Sequence, residues 1–207
     1  NFEEVNEIGT IVYLAVEGEY AGSLLIADAI KEDAADAIAA MKKQGVEHII
    51  MLTGDAQSVG DAVAKKLGIS EVYSELLPQD KVEKFEEILA RKGKKEKVAF
   101  VGDGINDTPV LARSDIGFAM GGLGSDAAIE AADVVIMDDK PSKIAAAMQV
   151  AKDTRRIVWQ NIFFALGVKG LFLILGAFGV ASMWEAVFAD VGVTVIAVLN
   201  AMRILNK

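Results

Sequence analysis

The sequence predicts an α/β domain, a parallel sheet with helices on both faces, followed by a hairpin of two membrane-length helices. Three observations carry this. Strand-like and helix-like runs alternate up to about Val150, which is the pattern of a parallel sheet wrapped in helices. From Ile157 to Leu205 almost every residue is apolar or small, as hydrocarbon requires. The 207 residues are 53% hydrophobic with a mean hydropathy of +0.35, which fits one soluble domain plus a membrane piece.

Taken in order, the strand-like runs Ile11–Val16 and Gly22–Ile26 flank Glu17-Gly18-Glu19, a hairpin turn whose glycine supplies positive φ. Asp33 is placed to cap a helix over Ala34–Gln44 that stops at Gly45, and His48–Leu52 reads as a buried strand. A helix over Ser58–Leu67 ends at Gly68, a short strand covers Glu71–Ser74, and Pro78 opens a charged amphipathic helix to Arg91. Lys97–Val101 is the next strand, followed by short elements at Thr108–Ser114, Ile116–Met120, Asp126–Ala132 and Val134–Ile136. Trp159–Met183 and Trp184–Leu205 are each long enough to cross roughly 30 Å of hydrocarbon. The expected organisation is a connecting segment over 1–20, an α/β domain over 21–150 and a membrane segment over 151–207, with spans at about 157–181 and 184–205.

Charge narrows the function. A net charge of −9 repels nucleic-acid phosphates, and no basic stripe with interleaved aromatics is present. The chain has no cysteine, which removes disulfides and thiolate metal ligands from this piece. Lys152, Arg155 and Arg156 precede the first span, and Arg203 and Lys207 close the second. The positive-inside rule therefore puts the α/β domain and both hairpin ends in the cytoplasm. The sequence opens on Asn1 without a signal peptide, and it reads as a fragment.

Two motif loops leave strand ends, where open α/β sheets bind ligands. Gly102-Asp103-Gly104-Ile105-Asn106-Asp107 offers two carboxylates and an amide, hard oxygens suited to Mg²⁺, though an Asx-rich turn has the same composition. Thr53-Gly54-Asp55 could give a phosphate a hydroxyl and a backbone N–H, or simply cap a helix, and Lys81 lies in the first turn after Pro78. In joint order, a hydroxyl, a lysine and an aspartate pair are the parts that hold a phosphoryl group with Mg²⁺. The lone His48 reads as a structural or surface residue, because a metal site needs partners it lacks.

The segments Met51-Leu-Thr-Gly-Asp55, Pro78-Gln-Asp-Lys81, Val101-Gly-Asp-Gly-Ile-Asn-Asp-Thr-Pro109, Ala119-Met-Gly-Gly122 and Gly124-Ser-Asp-Ala-Ala128 resemble the phosphorylation domain of P-type ATPases, which has the haloacid-dehalogenase-like fold. The resemblance implies that Thr53, with Gly54 and Asp55, holds phosphoryl oxygens. It further implies that Lys81 neutralises the aspartyl phosphate, that Asp103 with Asp107 ligates Mg²⁺, and that Asn106 and Asp107 hold the loop and help to position Lys81 and the phosphoryl group. Asp28 and Lys31 look like the family's hinge. The family's Asp-Lys-Thr-Gly-Thr nucleophile string does not occur in this sequence, so the chain is expected to be inactive alone, with most of the ATP site outside it.

Lys169 and Asp190 interrupt the spans; a charge at that depth costs about 3 kcal/mol on insertion scales, which marks functional candidates. Their depths differ by roughly 7 Å, so they could pair, whereas Glu185 beside Trp184 reads as interfacial. Lys169 and Asp190-Val191-Gly192 resemble the signature of the zinc, cadmium and lead branch of the pumps. That implies Asp190 as a ligand to the transported divalent metal, Lys169 as its counter-charge, and a multi-pass protein of the plasma membrane that works with the remainder of the pump. Two rivals remain: a membrane-anchored phosphatase of the same fold, which would need an Asp-x-Asp motif that this sequence lacks, and a non-catalytic half of a split pump.

Overall fold

The computed structural model describes residues 10–26, 29–102, 105–121, 126–180 and 182–206. The chain folds as two compact units, Asn1–Ala145 and Ala146–Lys207.

The first unit opens with an antiparallel hairpin of β1 (Thr10–Val16) and β2 (Glu19–Ile26), paired from Thr10 against Ile26 to Val16 against Glu19 with a bulge between Leu14 and Ala15. Glu17 and Gly18 both have positive φ, 52° and 88°, the two-residue turn whose twist matches that of paired strands. Alternation then begins: α1 (Ala34–Lys43), β3 (Ile50–Leu52), α2 (Gln57–Leu67), β4 (Glu71–Tyr73), α3 (Pro78–Arg91), β5 (Ala99–Gly102), a 3₁₀ turn at Ile105–Asp107, α4 (Thr108–Leu111), β6 (Ile116–Met120), α5 (Asp126–Ala131) and β7 (Val134–Ile136). The stops are those expected from glycine's freedom at positive φ: α1 is followed by Gly45 at 95° and α2 by Gly68 at 68°.

Among the described residues, the strands after the hairpin pair in parallel, in two groups, β3 with β4 and β5 with β6 with β7. This is the expected α/β parallel architecture, with helices between successive strands. The core lies on β6, where Phe118, Ala119 and Met120 are buried, together with Val110 and Leu111 of α4 and Phe85 of α3. Phe85 meets Phe100 of β5 edge to face at 5.5 Å, which fixes α3 over the strand end that carries the glycine-rich motif.

Asp33 departs from its expected role. Its side chain makes no cap to α1; Oδ2 instead accepts from the backbone N–H of Ser142 at 2.9 Å. That N–H is an orphan donor at the start of α6 (Ser142–Ala177), and hydrogen bonding from the Ser142 side chain, then from this N–H, holds the Asp33 carboxyl below its ordinary range. Gln44 Nε2 adds a bond to the Ala145 carbonyl at 2.8 Å.

In the second unit, α6 runs on without a break to Ala177 and is followed by α7 (Met183–Ala201) and a 3₁₀ turn at Met202–Asn206. Both helices are apolar and long enough to cross a bilayer, and they expose Phe163, Leu173, Trp184 and Phe188. Two boundaries differ from the sequence reading. The first apolar helix begins far upstream of Ile157, because a change in composition need not end a helix. It also stops before Met183: Gly179 takes a φ of 69° and Val180 N–H bonds back to the Leu175 carbonyl at 2.9 Å, a left-handed terminus.

Candidate functional site

Thr53 closes β3 through its N–H, which donates to the Tyr73 carbonyl at 2.9 Å. Its hydroxyl donates to Asp55 Oδ2 at 2.7 Å and accepts from the Asp55 N–H at 3.1 Å, so Thr53-Gly54-Asp55 is a self-bonded turn. The turn is laced to the segment that precedes α3: Glu75 N–H donates to the Asp55 carbonyl at 2.8 Å and Leu76 N–H to the Thr53 carbonyl at 3.1 Å. Gly54 leaves room for that approach, since a Cβ there would lie 3.2 Å from the Leu76 carbonyl oxygen.

Helix α3 starts one residue later. Pro78 pre-sets its first turn, and Asp80 Oδ2 accepts from the Leu77 N–H at 2.9 Å, satisfying a donor near the helix start. Lys81 follows, and its Nζ reaches Asp107 Oδ1 at 3.1 Å with the two side chains only 20% and 11% exposed. The three motif segments that are far apart in sequence are thereby linked: the Thr53 turn to the start of α3, and α3 through Lys81 to the Asp107 loop.

Gly102 makes the Asp107 position possible. A Cβ at Gly102 would fall 2.8 Å from Asp107 Cβ and 2.9 Å from Phe100 Cε1, so only glycine lets the carboxylate fold back against the end of β5. Asn106 is exposed beside it. The Thr108 hydroxyl is buried and finds no partner among the described residues. A buried carboxylate, an ammonium and an orphaned hydroxyl at one strand end fit a hard cation with a phosphoryl group. Asp103 and Gly104, expected at the cation, lie outside the described residues, as does Asp28. Lys31, expected at a hinge with Asp28, pairs with Asp139 at 2.6 Å. His48 is exposed.

In the second unit Lys169 Nζ meets Asp190 Oδ1 at 3.0 Å. The two charges expected to pair across the apolar helices do so. They line a groove of about 350 Å³ together with Asn161 and Thr194. Glu185 has a more definite job than an interfacial residue: Ser182 N–H donates to Glu185 Oε2 at 2.8 Å and Glu185 N–H to Ser182 Oγ at 3.5 Å. That is a reciprocal capping box, and the Ser-x-x-Glu spacing was its signal.

Sequence reasoning missed a second polar cluster between the apolar helices. Asn161 Nδ2 donates to the Ala197 carbonyl at 3.0 Å, and Asn200 Nδ2 donates to Asn161 Oδ1 at 2.9 Å. The signal was present as two amides within apolar runs, which carry no charge and so escape a search for charged residues.

The haloacid dehalogenase-like hydrolase family matches residues 1–115. Among curated proteins, the chain is 67% identical over 96% of its length to a cadmium, zinc and cobalt-transporting ATPase of Bacillus subtilis, of which it covers 28%. It is 60% identical over 95% of its length to a zinc-transporting ATPase of Synechocystis, of which it covers 27%. The chain thus spans under a third of the length of these relatives. A crystal structure of a zinc-transporting PIB-type ATPase in an E2.Pi state superposes with a TM-score of 0.83 at 36% identity, covering 94% of this chain and 31% of that one.

Proposed function

The chain belongs to the haloacid dehalogenase-like hydrolases, and from that membership we propose that it is the phosphorylation domain and last two transmembrane helices of a P-type ATPase exporting Zn²⁺, Cd²⁺ or Pb²⁺. The observation that carries this reading is the Lys169–Asp190 ion pair at 3.0 Å between two apolar helices. A membrane-anchored phosphatase has no use for a charge pair inside its anchor, whereas a cation pump needs a carboxylate in its membrane path. Similarity to zinc- and cadmium-transporting ATPases over 96% of the chain supports the same reading.

The nucleophilic aspartate is proposed to come from a strand outside this sequence. Among the described residues β3 pairs only with β4 and β5 only with β6, so each of these motif-bearing strands has an edge that an added strand would satisfy. In the assembled site Lys81, steadied by Asp107, offsets charge on the phosphoryl group, and the Thr53 hydroxyl and Gly54 N–H bind its oxygens. Asp103 and Asp107 would hold Mg²⁺, which supplies charge neutralisation at the transferred phosphoryl oxygens. Asn106 holds the loop, Asp28 and Lys31 form the hinge, and ATP binds mostly outside this chain. In the membrane Asp190 ligates the cargo metal and Lys169 replaces the metal's charge when the site is empty. The protein is multi-pass in the plasma membrane with 21–150 in the cytoplasm.

The test is ATP-driven Zn²⁺ or Cd²⁺ movement into inverted vesicles by the whole pump containing this chain. Metal-stimulated ATP hydrolysis with metal uptake is expected, and no Mg²⁺-dependent phosphate release by the 207-residue chain alone. Hydrolysis of small phosphate esters by the chain alone, without metal stimulation, would instead establish the phosphatase.

A further inference from the structure

The amides of Asn161 and Asn200 form a connected set. Asn161 uses both ends of its side chain, donating to the Ala197 carbonyl and accepting from Asn200. Asn200 Oδ1 in turn accepts from Arg203 Nη1 at 3.0 Å, and its Nδ2 lies 3.4 Å from Gln160 Oε1. One side chain on α7 therefore engages two consecutive residues of α6. Apart from the Lys169–Asp190 pair and Thr194, the seam is lined by small or apolar residues such as Ala165, Val193 and Ala197, whose packing is non-directional and tolerates a shift of one helical turn. An amide pair does not, because a shift leaves its donors and acceptors unpaired in apolar surroundings. A lone buried amide that fixes helix register is a known physical device.

The register that this clamp selects is the one the ion pair requires. Asn161 and Lys169 are eight residues apart on α6, about 12 Å of axial rise, and Asp190 and Ala197 are seven apart on α7, about 10.5 Å. On helices running in opposite directions, matching Asn161 with Ala197 brings Lys169 level with Asp190 to within about one residue's rise. A slip of one turn would separate the charges by about 5 Å.

We propose that Asn161 and Asn200 are positioning residues, an amide clamp that sets the axial register of the hairpin so that the Lys169 ammonium meets the Asp190 carboxylate. This rests on the pump reading only for its consequence, that a slipped hairpin leaves Asp190 without its counter-charge when no metal is bound. The clamp touches neither the metal nor the phosphoryl group; it acts through the pair.

The sequence has no cysteine, so disulfide crosslinking reads the register directly. Ala165→Cys is combined in the full 207-residue chain, reconstituted in lipid vesicles, with Val193→Cys (in register), Ala189→Cys or Ala197→Cys (slipped by one turn). With the amides intact, the Ala165/Val193 pair should crosslink fastest, by roughly tenfold over either slipped pair. Asn161→Leu with Asn200→Leu should erase that preference, and Asn161→Gln, which keeps both amide functions, should retain it. A leucine variant with the original preference, or a glutamine variant as scrambled as the leucine one, overturns the clamp. Crosslinking needs no ATP, so it stands apart from the pump reading. In the whole pump, Asn161→Leu should lower zinc-stimulated turnover several-fold, with recovery in Asn161→Gln. Shifted crosslinks with unchanged turnover would break the link between register and ion pair.

Discussion

Among the lysine–aspartate pairs of the described residues, the two at the expected sites are almost equal in length and differ in exposure. Lys81 and Asp107 are 3.1 Å apart with 20% and 11% of their side chains exposed, whereas Lys169 and Asp190 are 3.0 Å apart with 59% and 58% exposed. The first pair is surrounded by its own unit, with Gly102 and Phe100 against it. The second is open to whatever surrounds an apolar hairpin. Identical geometry therefore has different meaning: a charge pair open to water contributes little, but the same pair between membrane helices is costly to break. On the proposed function, the first pair would steady a charge for chemistry and the second would hold a carboxylate ready to exchange one cation for another.

The largest expected effect tests the first pair. Lys81→Ala in the whole pump should cut kcat by about 10²-fold or more, the scale of losing a preorganised charge at a transferred group, with little change in equilibrium zinc binding. Steady-state kinetics beside isotherms on the same preparation check this; a loss of zinc binding with normal kcat would merge the two roles the comparison keeps apart. Gly102→Ala attacks the same pair sterically and should destabilise the soluble unit by about 1–3 kcal/mol, the usual cost of overpacking, in denaturant titration. An unchanged midpoint would mean that Asp107 does not depend on the close approach to β5.

A smaller effect separates a scaffold carboxylate from the working ones. Asp115 accepts from Lys92 at 2.6 Å, from the Val98 N–H at 2.9 Å and from Lys97 at 3.2 Å. The Lys92 bond, then the Val98 N–H, hold its carboxyl well below the ordinary value of 3.8. A depressed folded-state value stabilises the fold fully above the unfolded value and loses that contribution as pH falls below about 4. Thermal unfolding of the wild type should therefore show a drop in Tm across that window, and Asp115→Asn should flatten it. Parallel curves for the two proteins would contradict the assignment.

Much of the fold was legible because local chemistry decided it. Pro78 set the start of α3, Gly68 ended α2, and β6 and β7 fell where their apolar runs lie. Lys81 and Asp107 were legible only jointly, as each alone is an ordinary helix or turn residue. Asp33 defeats a local reading because its partner, Ser142, is 109 residues away, and no local pattern distinguishes capping the next helix from capping a remote one. The start of α6 is hidden because its first turns are amphipathic while its later ones are mostly apolar, so the change in composition falls within one helix and does not mark its beginning. Asn161 and Asn200 escape notice since amides carry no charge and their partners lie on the other apolar helix, more than 30 residues away in sequence.

The most direct measurement compares the two halves of the membrane pair. Zinc binding at equilibrium and zinc-stimulated ATP hydrolysis are measured in parallel on Asp190→Ala and Lys169→Ala of the whole pump. Asp190→Ala should lose both, because a ligand is gone, while Lys169→Ala should keep zinc binding but turn over poorly, because the empty site is left with an uncompensated carboxylate. Wild-type zinc stoichiometry and affinity in Asp190→Ala would contradict it.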